Sequence, residues 1–410
     1  MSGSTSDQPY LDWLGERVAH YLGGPVDPDA PLAEYGLDSA AALSLYGDIE
    51  ERLGPVIEPA DIWDFPTVRS LAGFLAVREE LAERDGGVRA AFVFTGQGSQ
   101  HPGMTAGLYT QSTVYRRHLD EISEVLLPWT GLSVVELIMD GDPRIHRAAF
   151  AQPAVFAVGY ALAATLAEAG VRPVAVLGHG MGEFAAAAVA GAISPRDAAQ
   201  LVALRGAFMQ YLPRGGGMLA TCLSPHESAE AAAGEPGVVV AAINATRATV
   251  LSGEAAALQR VAERLAARGV RTRTLPVEHA YHSPLMSPVR SKFEAAARRV
   301  SGGMPGVPYY STVHGRSTSE PLYASYWSEQ TTAPIRFAEA IRNLLDQQTP
   351  THVVEIGPKA VLTPYVRRAQ GRCRPVCLPM CRGPETNAVD LAGTFSALGA
   401  GPLTTALAEA

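Results

Sequence analysis

A strand-length apolar run, VAVL (174–177), leads into the tight turn GHGMGE (178–183) and then into the helix-forming stretch FAAAAVAG (184–191). Strand, glycine turn and helix in so few residues commit this part of the chain to a β–α unit, whose turn is where such sheets present reactive groups. Further apolar runs, AAFVF (90–94) and THVVEIG (351–357), recur between helical patterns, so residues 88 to about 370 read as a sheet flanked by helices. The third position of the turn should carry the attacking atom and instead carries Gly180. His179 beside it suits holding the turn together better than moving protons.

A second order is nested inside the first. MLATCL (218–223), the helix SPHESAEAAAG, VVVAAINA (238–245), ATVLSGE (248–254), the helix AAALQRVAERLAARG and VRTRTLPV (270–277) follow one another. That β-α-β-β-α-β succession predicts a ferredoxin-like subdomain over 216–277. At 410 residues the chain is also too long for one ordinary core, so two or three domains are expected.

The formal charge of −8 belongs to residues 10–78, where 12 acidic side chains meet 4 basic ones. Helical spacing predicts helices at YLDWLGERVAHYL (10–22), SAAALSLYGDIEERLG (39–54, stopping at Gly54–Pro55) and TVRSLAGFLAVREELA (67–82), with DIWDF (61–65) as a connection. An acidic bundle suits docking onto basic patches of other proteins and makes nucleic acid an improbable ligand. No membrane span is expected, because no apolar stretch of about 18 residues is free of polar interruption. The start, MSGSTSDQPY, lacks the features of a secretory leader, which makes a cytoplasmic location the expectation. Cys373, Cys377 and Cys381 form C-x3-C-x3-C, matching no common metal pattern, and Pro375 and Pro379 break any helix that would align them. Buried thiols and no metal site are expected.

Ser39 in GLDS (36–39) opens the second helix, where free backbone N–H groups favour a phosphate, although a helix-capping role would also place a serine there. Read along its length, PLAEYGLDSAAALSLYGDIEERLG followed by IEPADIWDFPTVRSLAGFL resembles an acyl carrier protein of polyketide synthases. The resemblance implies that residues 8–80 are a phosphopantetheine-binding four-helix bundle, that Ser39 carries 4'-phosphopantetheine, and that Leu37 and Asp38 are seen by a phosphopantetheinyl transferase. Residues 81–88 follow as a linker.

Seven motifs then occur in order: FVFTGQGSQHPGM (92–104), GHGMGE, ALRGAFMQ (203–210), GGMLA (216–220), HAYHSPLM (279–286), YWSEQTTAPIRF (326–337) and VVEIGPKAVLT (353–363). Together they resemble the malonyl-CoA:acyl carrier protein transacylases, the acyltransferase domains of fatty acid and polyketide synthases. The implied fold is a small all-α carrier bundle followed by an α/β (α/β-hydrolase-like) acyltransferase, residues 89–370, with the ferredoxin-like insertion and a post-acyltransferase tail at 371–410. The implied site has His282 as base, a backbone carbonyl at Gln330 orienting it, backbone N–H groups of Gln97 and Met181 as oxyanion hole, and Arg205 clamping a substrate carboxylate. His279 and Tyr281 stand in the selectivity motif, closer to the malonyl than to the methylmalonyl form.

Gly180 replaces the serine of that family's GHSxGE. The implied parent activity is transfer of a malonyl-type group from malonyl-CoA to a phosphopantetheine thiol through a Ser/His pair. This form should be inactive, by design or by natural loss, since glycine has no Oγ. The alternative is a non-catalytic carrier or docking protein with a degenerate acyltransferase domain. A ketosynthase or other polyketide synthase protein is the expected partner.

Overall fold

The structure, a computed structural model, describes residues 7–53, 57, 59, 61–84, 87–371 and 373–400. The expected helix stop at Gly54–Pro55, the first six residues and residues 401–410 lie outside the described residues. The chain divides into two compact units, Met1–Val88 and Arg89–Ala410.

In the small unit, α1 (Gln8–Leu22), α2 (Ser39–Leu53), the single turn α3 (Asp61–Asp64) and α4 (Val68–Arg84) follow one another. DIWDF, expected as a connection, therefore begins with a helical turn. Leu14 and Val18, Leu45 and Ile49, and Leu71 and Leu75 are pairs four residues apart, so each helix turns one apolar stripe into a shared core. Each such buried side chain contributes about 2 kcal/mol. Gly23, at φ 76°, ends α1 by returning its amide to Ala19 O.

The large unit is built on a six-stranded sheet. Its strands are β1 (Ala90–Phe94), β2 (Ala175–Gly178), β7 (Tyr309–Ser311), β8 (Arg316–Thr318), β9 (His352–Ile356) and β10 (Val376–Pro379), in the order β10-β9-β1-β2-β7-β8. All neighbours are parallel except β8, which returns antiparallel from β7. The resemblance drew a boundary at 370, but β10 pairs with β9 and carries the sheet beyond it. The helix Ala388–Ala397 then packs on the body through Leu391 and Phe395. Cys373, Cys377 and Cys381 are buried in this core, while Cys222 is exposed.

The insertion has the expected topology. Strands β3 (Gly216–Thr221), β4 (Val239–Ala245), β5 (Ala248–Glu254) and β6 (Thr272–Thr274) form an antiparallel sheet in the order β4-β5-β3-β6, with helices Pro225–Ala232 and Ala255–Ala267 between them. This is the ferredoxin-like arrangement. The helix Ala148–Glu168 is long and apolar enough to cross a membrane by length and composition. It is buried on most of its surface within the core of the large unit, which accounts for that composition.

Candidate active site

Parallel β1 and β2 pair in register, Phe94 opposite Gly178, so their carboxyl ends emerge side by side. The two turns that follow, 95–100 and 179–181, meet at the edge where open α/β sheets bind ligands. A Cβ at Gly96 would collide with the His179 carbonyl, so glycine there permits this approach. The His179 ring in turn bonds Asn244 Oδ1 on β4 at 2.8 Å. The smaller sheet is also stitched to the segment 331–337, Ile243 N to Ile335 O and Ile335 N to Ala241 O, both 2.8 Å.

Gly180 lies at φ 55°, the left-handed conformation that suits glycine. A Cβ built on it would stand 3.3 Å from His282 Nε2 and 3.0 Å from Ile335 Cδ1. The side-chain direction of residue 180 thus points at the imidazole. His282, itself at φ 57°, is buried and shares a hydrogen bond of 2.9 Å between Nδ1 and the Ala333 carbonyl. Burial, aided by the nearby Arg205 charge, pushes its pKa down to about 3, so the ring is neutral at physiological pH. With the Nδ1 proton committed to Ala333, Nε2 is the accepting nitrogen and faces the turn.

Gln330 does not orient this ring. Its Nε2 donates to the Gly180 carbonyl at 2.7 Å, fixing the turn, and the orienting carbonyl comes from Ala333, three residues later in the same motif. The backbone N–H groups of Gln97 and Met181 have no acceptor among the described residues, and both residues line the cavity beside Gly180. They are free to donate to a developing oxyanion.

That cavity holds about 400 Å³ and is also lined by His179, Arg205, Tyr281, His282 and Ile335. Arg205 sits on the helix Pro195–Gln210 and is 2% exposed. It donates to Gln152 Oε1 at 2.8 Å, its Nε has no partner, and no carboxylate pairs with it among the described residues. Burial lowers its pKa to about 10, which leaves it charged. Gln152 passes the contact on to Gln97 at 3.1 Å, and Gln97 donates to the Tyr281 hydroxyl at 3.1 Å. Tyr281 therefore lines the cavity, whereas His279 is buried behind it, edge-on to its ring, and is not a lining residue. Sequence reasoning missed Gln152, Asn244 and Ala333. A lone glutamine inside an otherwise apolar helix was the available signal for the first.

Glu183, the last residue of the turn motif, is fully buried and accepts from the Thr312 amide at 2.6 Å and its hydroxyl at 2.9 Å. Burial raises its pKa to about 7.

In the small unit, Asp38 caps α2 by accepting from the Ala40 and Ala41 amides at 3.0 and 2.8 Å. Those amides are therefore taken, contrary to the expectation that they await a phosphate. Ser39, the next residue, is exposed and its hydroxyl makes no hydrogen bond among the described residues. Leu37 is buried in the core, whereas Asp38 and Ser39 face solvent.

Residues 91–387 match the acyl transferase domain family and residues 12–75 match the family described as a phosphopantetheine attachment site. The chain is 36% identical over 372 residues to the polyketide synthase GfsB of Streptomyces halstedii, covering 88% of this chain and 6% of that one. Among solved structures, it is similar to the acyltransferase domain from the second module of the salinomycin polyketide synthase, at 35% identity and TM-score 0.71, covering 81% of this chain and 82% of that one. It is likewise similar to the malonyl-CoA:acyl carrier protein transacylase of Xanthomonas oryzae pv. oryzae, at 31% identity and TM-score 0.68, covering 76% and 98%. The chain belongs to the acyl transferase domain family, preceded by a phosphopantetheine-binding carrier domain. It spans a small fraction of the curated synthase it matches.

Proposed function

We propose that this chain is a polyketide-biosynthesis carrier–acyltransferase didomain whose large unit grips a malonyl-type thioester of coenzyme A and whose Ser39 bears a phosphopantetheine arm. One observation carries the reading: Arg205 is a buried cation with no carboxylate partner among the described residues, on the same cavity as His282. An unpaired buried charge is costly, and a ligand carboxylate is the natural complement of a guanidinium fork. The free amides of Gln97 and Met181 supply donors for the thioester carbonyl. The solvent-facing Ser39 hydroxyl fits phosphodiester attachment of phosphopantetheine, which supplies a thiol able to hold an acyl group. Its modification calls for a phosphopantetheinyl transferase, and a ketosynthase-type protein for use of the loaded arm; a cytoplasmic setting belongs to the same proposal.

Gly180 removes the group that would form the acyl-enzyme ester. In hydrolases of related logic the loss of such a nucleophile costs on the order of a million-fold in rate. The proposal is thus a pocket that retains recognition without acylation through residue 180.

Titration calorimetry of malonyl-CoA and acetyl-CoA into the full chain tests recognition. A charge-assisted pair predicts malonyl-CoA binding at least about tenfold tighter, with the preference lost in Arg205→Met. Equal affinities in the unaltered chain would refute the assignment.

A further inference from the structure

Resting on that reading of the pocket, we propose that this chain hydrolyses carboxylated acyl thioesters directly, with water as the attacking group and His282 Nε2 as its base. The Cβ direction of Gly180 meets Nε2 at 3.3 Å and the tip of Ile335 at 3.0 Å. Glycine therefore leaves the Cβ position between turn and ring open, and a water oxygen there stands within reach of Nε2 once the tip of Ile335 gives by a few tenths of an ångström. That space is bounded by polar groups with unused capacity. Nε2 of the neutral ring has no partner among the described residues, and neither do the amides of Gln97 and Met181. Arg205 on the same wall provides the anchor for the far carboxylate. A neutral imidazole, two free amides and a cation share the one cavity, and water can serve as the attacking group without an ester intermediate.

The step balances. A water oxygen bonds to the thioester carbon while its proton passes to Nε2, and the carbonyl electrons move onto the oxygen held by the Gln97 and Met181 amides. Collapse breaks the carbon–sulfur bond, and the departing thiolate takes the proton back from His282. The products are the free thiol and the dicarboxylic acid. Two competing outcomes are disfavoured. Direct thiol-to-thioester exchange must bring two long arms into one cavity of about 400 Å³. Decarboxylation must move charge out of a carboxylate that Arg205 stabilises in place.

The test uses the full chain, with Ser39→Ala to keep the carrier arm out, and malonyl-CoA in 18O-labelled water, with malonate and CoA followed by mass spectrometry. Expected is malonate carrying one 18O, formed about a thousand-fold faster than in buffer. His282→Asn, a residue type that tolerates the left-handed backbone at 282, should lower the rate by on the order of a hundredfold or more. Arg205→Met provides a second variant and should erase the advantage of malonyl-CoA over acetyl-CoA. Malonyl-CoA that binds by calorimetry yet yields malonate only at the buffer rate overturns hydrolysis and leaves the binding reading standing. Acetyl-CoA and CO2 as products, or an unchanged rate in His282→Asn, also overturn hydrolysis. Failure to bind malonyl-CoA overturns both readings.

Discussion

Residue 180 carries two constraints, a left-handed backbone and a line of sight to His282 Nε2. Serine there meets both neighbours at tight but adjustable distances, because the Ile335 contact is the end of a flexible side chain. We expect Gly180→Ser to fold and to lose about 1 kcal/mol, the penalty of placing a Cβ at positive φ, read as a shift in the urea midpoint. The positions of this site that sit in recognisable motifs were legible in the sequence. Gly180, His282 and Arg205 come from motifs separated in the chain and meet on one cavity. The resemblance implied a backbone carbonyl as the orienter of His282 but put it at Gln330; its place at Ala333 was not legible, because any residue at 333 would supply that atom. Asn244 was hidden for another reason: its value lies in reaching His179 from a different sheet.

At the scale of elements, short caps and strands decide the outcome. Asp38 satisfies two amides at the start of α2, so Asp38→Ala should cost the small unit about 1 kcal/mol, seen as a lower denaturation midpoint for that unit. The turn motif is joined to Thr312, the residue after β7, by hydrogen bonds to the Glu183 carboxyl. Glu183 keeps its proton to about pH 7 in the folded chain, whereas an unfolded glutamate loses it near 4.5. Between these values the folded state binds more protons, so its stability falls as pH rises, by up to about 3 kcal/mol. Glu183→Gln removes that slope while retaining an acceptor for Thr312. Relative to the unaltered chain the variant should therefore gain stability from about pH 5 to about pH 8 in urea titrations; a constant difference would contradict the buried proton. Long periodic helices and β1, β2, β4, β5 and β9 were readable because their patterns repeat. Strands β7 and β8 were not, since three residues give period-two alternation too little length to declare itself.

For the whole molecule, the sequence separates an acidic helical unit from a charge-balanced α/β unit, and the structure divides at Val88. The far end differed, because β10 belongs to the sheet by pairing with β9, a long-range partnership that local composition does not encode. The central claim, a complete acyl-binding site lacking only its nucleophile, is tested most directly by intact mass. Gly180→Ser in a Ser39→Ala background is incubated with malonyl-CoA beside the Gly180 parent. The account predicts one malonyl group on the serine form, none on the parent, and none on the serine form once His282 is changed to Asn. A serine form that stays unmodified while remaining folded, or a parent that becomes acylated, would contradict it.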